Sequence, residues 1–178
     1  TPPYPMLRSL VGSEMCIRDR YKYLGEEICK MYRDSFKMNI EIVRFYNVYG
    51  PNEILEGKWA AVLGIWRNQI KNGEPLTIVG NGEQRRDFTH VMDIARANLM
   101  AMCSEKVGNG EVINIGNSDN RSVNQIAKMI GGPTINIDPV VEPRETLADN
   151  SKAKSLLGWS PSIIIEEWVP EYKKELGI

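Results

Sequence analysis

Few side chains of this chain have a type and spacing suited to chemistry. Arg85-Arg86-Asp87-Phe88-Thr89-His90 places two guanidinium groups in an extended stretch. A guanidinium forks onto phosphate oxygens, so the chemistry on offer there is anion recognition, although adjacent arginines in such a stretch are more often simply solvated. Lys22 stands on the first turn of a helix opened by Tyr21-Lys22-Tyr23-Leu24-Gly25-Glu26-Glu27, where by position alone it is a surface ammonium. Arg18, one turn earlier, stays protonated and cannot serve as a general base near neutral pH. Tyr21 and Tyr23 point about 100° away from the lysine around the helix. Asn47 ends an apolar run and by type reads as a turn former. His90 is the one histidine, so a multi-histidine metal site is excluded, and no metal ligand set is expected. Cys16, Cys29 and Cys103 are scattered and odd in number. That pattern argues against a disulfide framework and fits a reducing, cytoplasmic compartment.

These residues need elements to position them, and 178 residues suffice for one domain with a real core. The formal net charge of −1 leaves no basic face for nucleic acid. No apolar run approaches the ~20 residues of a membrane span. Leu24, Ile28, Met31, Tyr32, Ser35 and Phe36 recur at helical spacing, which predicts an amphipathic helix over 21–37. Ile40, Ile42 and Val43–Tyr46 predict a buried strand, broken by Gly50-Pro51. A helix is expected over 59–72, a short strand over 76–79, a turn at Gly80-Asn81-Gly82 and an extended stretch over 87–90. A helix over 92–104 and a strand over 111–116 follow. Ser122 and Gln125 form a capping-box pattern for a helix ending at Gly131. Another strand is expected over 134–137, a short helix over 151–157 closed by Gly158, and a last helix over 162–176 that Pro170 kinks or restarts. Asp93 reads as a helix N-terminal charge and Asp149 as a helix cap. Alternating strands and helices argue an α/β fold. No glycine-rich G-x-G-x-x-G turn occurs between a strand and a helix, so the phosphate cradle of a dinucleotide fold is missing.

Four strings in order carry a resemblance: Tyr21–Glu27, Arg44-Phe45-Tyr46-Asn47-Val48-Tyr49-Gly50-Pro51, Arg85–Val91, and Pro143–Lys154 with Leu157-Gly158-Trp159-Ser160-Pro161. Residues 21–178 resemble the C-terminal half of the NAD-dependent epimerase/dehydratase family, of the extended short-chain dehydrogenase/reductase type, and most of all a UDP-glucose 4-epimerase. The resemblance implies the C-terminal part of a Rossmann-like parallel sheet with a smaller α/β substrate-binding domain. It implies NAD, bound mainly by an N-terminal half not in this sequence, and transient oxidation of a UDP-hexose. It makes Lys22 the lysine of a Tyr-x-x-x-Lys pair, catalytic and cofactor-binding. It sets Phe45, Tyr46 and Val48 on the nicotinamide side and Asn47 on the substrate's diphosphate or sugar. Val62, Leu63, Leu76 and Thr77 would approach the nucleotide, with backbone groups of 76–79 reading the base edge. Arg86 would clamp the sugar nucleotide with Phe88 beside it, and Arg144 would be a second phosphate ligand. His90 would be structural. A homodimer through the exposed apolar positions of 21–37 is also implied.

The tyrosine of the pair is absent, because position 18 is arginine. Residues 1–20 are expected to be foreign to the rest: Leu10–Arg20 shows neither period nor helix start and resembles a translated sequencing adaptor. On this reading the chain alone is inactive. The alternatives are a nucleotide-sugar 4,6-dehydratase, or a module that binds nucleotide sugars without catalysis.

Overall fold

The computed structural model describes residues 14–57 and 59–178, with side chains from residue 19 onward. Helix α1 spans Glu14–Phe36 and runs into strand β1, Ile40–Phe45. Then come β2 (Val48–Tyr49), α2 (Val62–Lys71), β3 (Leu76–Val79), β4 (Arg85–Arg86) and β5 (Thr89–His90). Helix α3 (Val91–Cys103) leads to β6 (Asn109–Ile115), β7 (Arg121–Ser122), α4 (Val123–Ile130) and β8 (Thr134–Ile137). A π-helical turn, Ala153–Leu157, precedes the last helix, α5 (Ile165–Leu176). β1 pairs with β6, β2 with β5 and β3 with β8, all parallel, while β4 and β7 are antiparallel.

Two apolar cores result. In the first, Ile113 and Ile115 of β6 join Ile94 and Ala97 of α3 and Trp159, with Val43 of β1 packed against them. In the second, Leu63 and Trp66 of α2, Leu76 and Ile78 of β3, Ile126 and Ile130 of α4, and Trp168 and Tyr172 of α5 pack together. The local signals explain several boundaries. Ser122 accepts from the Gln125 backbone N–H at 3.1 Å, and the Gln125 side chain accepts from the Ser122 N–H at 2.8 Å, completing the box that starts α4. His90 caps α3 through Nδ1, which accepts from Met92 N–H at 3.2 Å. Gly158 closes the π-helical turn with φ of 67°, a left-handed conformation costly for other residues.

Other boundaries differ from expectation. α1 begins at Glu14, so residues 14–20, read as aperiodic, are helical. Glu, Met and Arg are good helix formers, and a helix once nucleated propagates without an apolar stripe. Residues 1–13, in which the suspect segment begins, lie outside the described residues. The stripe of α1 is not buried: Leu24, Ile28, Met31, Tyr32 and Phe36 are exposed. Its contacts are polar instead, with Glu26 accepting from Arg44 of β1 at 2.6 and 2.7 Å. β1 is half-buried rather than buried, because among the described residues only β6 pairs with it. α2 starts at Val62, after an extended Ala61. α5 starts three residues late and runs through Pro170 without a break.

The late start of α5 has a cause in Asp93. This carboxylate, almost fully buried, accepts from the backbone N–H groups of Ser162 and Ile163 at 2.9 and 3.0 Å and from the Ser162 hydroxyl at 2.7 Å. It therefore holds that segment extended rather than only charging the N-terminus of α3. Burial pushes its pKa up, but Arg96, Ser162 and the two N–H groups outweigh burial and hold it below the ordinary value. A carboxyl with a depressed folded pKa adds stability above its unfolded pKa, near 4, and loses it as pH falls through the folded value. Asp93→Ala is expected to cost about 2–4 kcal/mol at neutral pH. Urea unfolding across pH checks this, and the gap from wild type should narrow below about pH 4.

Candidate functional site

The carboxyl end of the parallel β1/β6 pair is followed directly by Tyr46-Asn47 and Gly116-Asn117. Crevices outside strand ends of this kind are where open α/β sheets take ligands. A cleft of about 260 Å³ opens there. Val48 and Tyr49, the first turns of α2, Thr77, Val79, Phe88, Val123 and Ile137 form mostly apolar walls. Asn47, Gln84, Arg86 and Glu142 supply the polar groups. A slot with apolar walls and a few fixed polar groups suits a small organic ligand with a charged end.

The two adjacent arginines have different jobs. Arg85 donates from Nε to Asn120 Oδ1 at 2.6 Å and from Nη2 to the Asn120 carbonyl at 2.8 Å, so it is structural. Arg86, on the other face of the strand, reaches the cleft and donates to Glu142 at 2.5 Å and to the Arg85 carbonyl at 2.8 Å. Gln84 donates to the same Glu142 carboxylate at 3.2 Å. A resident carboxylate thus sits on the guanidinium.

Asn47 has a positive φ of 26°, a conformation asparagine tolerates better than most residues. Its amide nitrogen donates to the Asp87 carbonyl at 3.2 Å and to Thr146 Oγ1 at 2.9 Å. Beneath it lies the Asp87 carboxylate, fully buried. It accepts from the backbone N–H groups of Asn117, Ser118 and Ala148 at 2.7, 3.0 and 2.9 Å. Burial pushes its pKa up, and these N–H groups offset that in part. Gly116 lets the segment at Ala148 close over it, since a Cβ there would strike Ala148 and come within 3.0 Å of Asp87 Oδ2.

Comparison with known proteins adds the lineage. The model of the NAD dependent epimerase/dehydratase family matches residues 19–116. The chain belongs to that family. A putative UDP-glucose 4-epimerase of Methanocaldococcus jannaschii is 36% identical over 83% of this chain and 49% of that protein. A UDP-N-acetyl-alpha-D-glucosaminuronate decarboxylase of Bacillus cytotoxicus is 37% identical over 73% of this chain and 40% of its own. Among solved structures, a UDP-glucuronic acid 4-epimerase of Bacillus cereus in complex with UDP-glucuronic acid and NAD is 34% identical. Its TM-score is 0.76, with 85% of this chain and 50% of that one covered. The chain spans about half the length or less of these relatives.

The residues marked by the family resemblance fall into two groups. Asn47, Val48, Val62, Leu63, Thr77 and Arg86 line the cleft together, as does Phe88. Leu76 does not: strand alternation turns it into the second core, where it is buried. The backbone of Thr77 already has internal partners. Its carbonyl accepts from Trp66 Nε1 at 2.8 Å and its N–H donates to Gln69 Oε1 at 3.1 Å, which leaves one carbonyl lone pair for a ligand donor. Phe45 and Tyr46 lie outside the lining at the end of β1, and Phe45 is 46% exposed. Lys22 is exposed on α1, which contributes nothing to the cleft. Arg144 is exposed, and its carbonyl accepts from Arg85 N–H at 2.9 Å. Gln84, Ile137, Glu142 and Thr146 were missed, and no local pattern marks them. Asp87→Ala should cost about 3 kcal/mol, because it strands the buried Ala148 N–H and the partly buried N–H groups of Asn117 and Ser118. Arg144→Ala should stay within about 0.5 kcal/mol. Parallel urea titrations test the contrast.

Proposed function

We propose that this chain is the sugar-nucleotide-binding portion of an NAD-using epimerase acting on a UDP-hexose. The observation that carries the reading is the cleft at the β-strand ends, where Arg86 and Asn47 stand at the polar end of an apolar slot. In this reading Arg86 leaves Glu142 and forks onto the diphosphate. Val62, Leu63 and Thr77 flank the nucleoside, and Asn47 holds the sugar.

NAD, when bound, supplies the hydride acceptor and donor for transient oxidation of a sugar carbon. Phe45 at the end of β1 and Val48 in β2 present exposed apolar surface, with the half-buried Tyr46 between them in the chain, and Lys22 presents an exposed ammonium, which fits the nicotinamide ribose end of that cofactor. Lys22 would hold the ribose. The rest of the cofactor finds no cradle here, since the sequence carries no glycine-rich turn, and position 18 offers arginine where a proton acceptor is needed. The described part therefore binds and orients but lacks a base to take the hydroxyl proton. That favours, for the 178-residue polypeptide itself, the second reading of a nucleotide-sugar-binding module. A homodimer through the exposed Leu24, Ile28, Met31 and Phe36 of α1 belongs to the same proposal, as does a cytoplasmic location. Among the described residues no helix is long and apolar enough to cross a membrane.

Calorimetric titration with UDP-glucose tests the reading. Arg86→Ala should weaken binding at least about tenfold with the fold intact, and Glu142→Gln should strengthen it by freeing the guanidinium. Equal affinity of wild type and Arg86→Ala would refute the assignment. Incubation of the purified chain with UDP-glucose and NAD should give no UDP-galactose. Measurable interconversion would show that a base was overlooked.

A further inference from the structure

The Asn47 carboxamide has one oxygen acceptor and two N–H donors. Which end faces a ligand decides what that ligand must offer. The nitrogen end is committed, because it meets the Asp87 carbonyl at 3.2 Å and Thr146 Oγ1 at 2.9 Å. A backbone carbonyl can only accept, so the atom facing Asp87 must be the nitrogen. Oδ1 accepts no hydrogen bond from any described residue, and it is not among the fully buried atoms left without a partner. Thr146 Oγ1 also accepts from the Asp87 backbone N–H at 3.2 Å. Both hydroxyl lone pairs are thus filled by donors, which pins the threonine rotamer and through it the amide.

We propose that Thr146 is the positioning residue for Asn47, holding the carboxamide with Oδ1 toward the cleft so that it accepts from a sugar hydroxyl rather than donating to a phosphate oxygen. A diphosphate carries only acceptors at neutral pH and gains nothing from Oδ1, whereas a hexose hydroxyl is a donor. The site then divides by chemistry. Arg86 takes the anion, and Asn47, set by a residue 99 positions away, takes the sugar. This rests on the reading of the cleft as a sugar-nucleotide site.

The test compares Thr146→Val, which keeps the shape and removes the acceptor, with Thr146→Ser, which keeps the hydroxyl. Each is titrated with UDP-glucose and with UDP, which has no hexose. Thr146→Val should lose about tenfold in affinity for UDP-glucose and stay within about twofold for UDP, and Thr146→Ser should match wild type on both. Loss on both ligands, loss on neither, or failure of the serine to restore binding overturns the proposal. A second readout needs no ligand. In a ¹⁵N-labelled wild-type chain the Asn47 side-chain amide protons should exchange slowly with water, and in Thr146→Val quickly. Fast exchange in wild type, or equal exchange in both, overturns the proposal as well. A wild type that binds neither UDP nor UDP-glucose would refute the sugar-nucleotide reading, and the exchange rates would still decide the role of Thr146.

Discussion

The Asp87 carboxylate accepts from backbone N–H groups of Asn117 and Ser118, just past β6, and of Ala148, in the long segment after β8. Those groups are 30, 31 and 61 residues away. Taking a carboxylate out of water costs several kcal/mol unless donors replace the lost hydration. Here backbone dipoles replace part of it, and burial still pushes the carboxyl's pKa up. The residual cost is accepted at the one point where the wall carrying Arg86 meets the loop after β6 and the segment carrying Thr146. This junction adds to the direct ties between the segments of Asn47 and Arg86, the Asn47 hydrogen bond to the Asp87 carbonyl and the pairing of Val48 with Thr89, and fixes both to the loop after β6.

The same economy of partners explains which groups are left over for a ligand. Arg85, the Thr77 N–H and the nitrogen of Asn47 are each taken by internal partners. What remains facing the cleft is the Arg86 guanidinium, held in reserve by Glu142, and an amide oxygen. A buried polar group that already has its partners contributes rigidity, and only the unsatisfied remainder contributes recognition. Two neighbouring arginines of identical type therefore end with unrelated roles because strand alternation sends them to opposite faces.

Local signals carried much of the architecture. Ser122 with Gln125, Asp149 whose Oδ1 accepts from Ser151 N–H at 3.0 Å, and the strands Leu76–Val79 and Thr134–Ile137 act over a few residues and are legible from local sequence, whereas the structural role of His90 came from the family resemblance. The tie of Asp93 to Ser162 and Ile163 spans 69 and 70 residues. No window along the chain shows that the last helix must start late because its would-be first turn is held elsewhere. Thr146, Glu142 and Gln84 were illegible for the same reason, being ordinary polar residues in a loop until the fold brings them against Asn47 and Arg86. The stripe on α1 is helical as its spacing predicts, but amphipathicity says only that a face is apolar and not what covers it.

The two cores differ in how far they close. The core built by α2, β3, α4 and α5 is sealed, with Trp66, Ile126 and Tyr172 wholly buried and Tyr172 donating to the Leu63 carbonyl at 2.8 Å. The other core has α3 on one face of β1/β6, while the opposite face meets α1 through Glu26 and Arg44 and leaves Leu24, Ile28 and Met31 in solvent. The cleft lies where the two meet, and its apolar walls come mainly from the sealed side. Of the residues the resemblance gives to the cofactor, Lys22 and Phe45 are exposed, Tyr46 is half-buried, and Val48 stands partly exposed in the cleft wall. Recognition of the anion and the sugar can then rest on a preformed wall, whereas the chemistry assigned to Lys22 depends on groups that the open side alone does not supply.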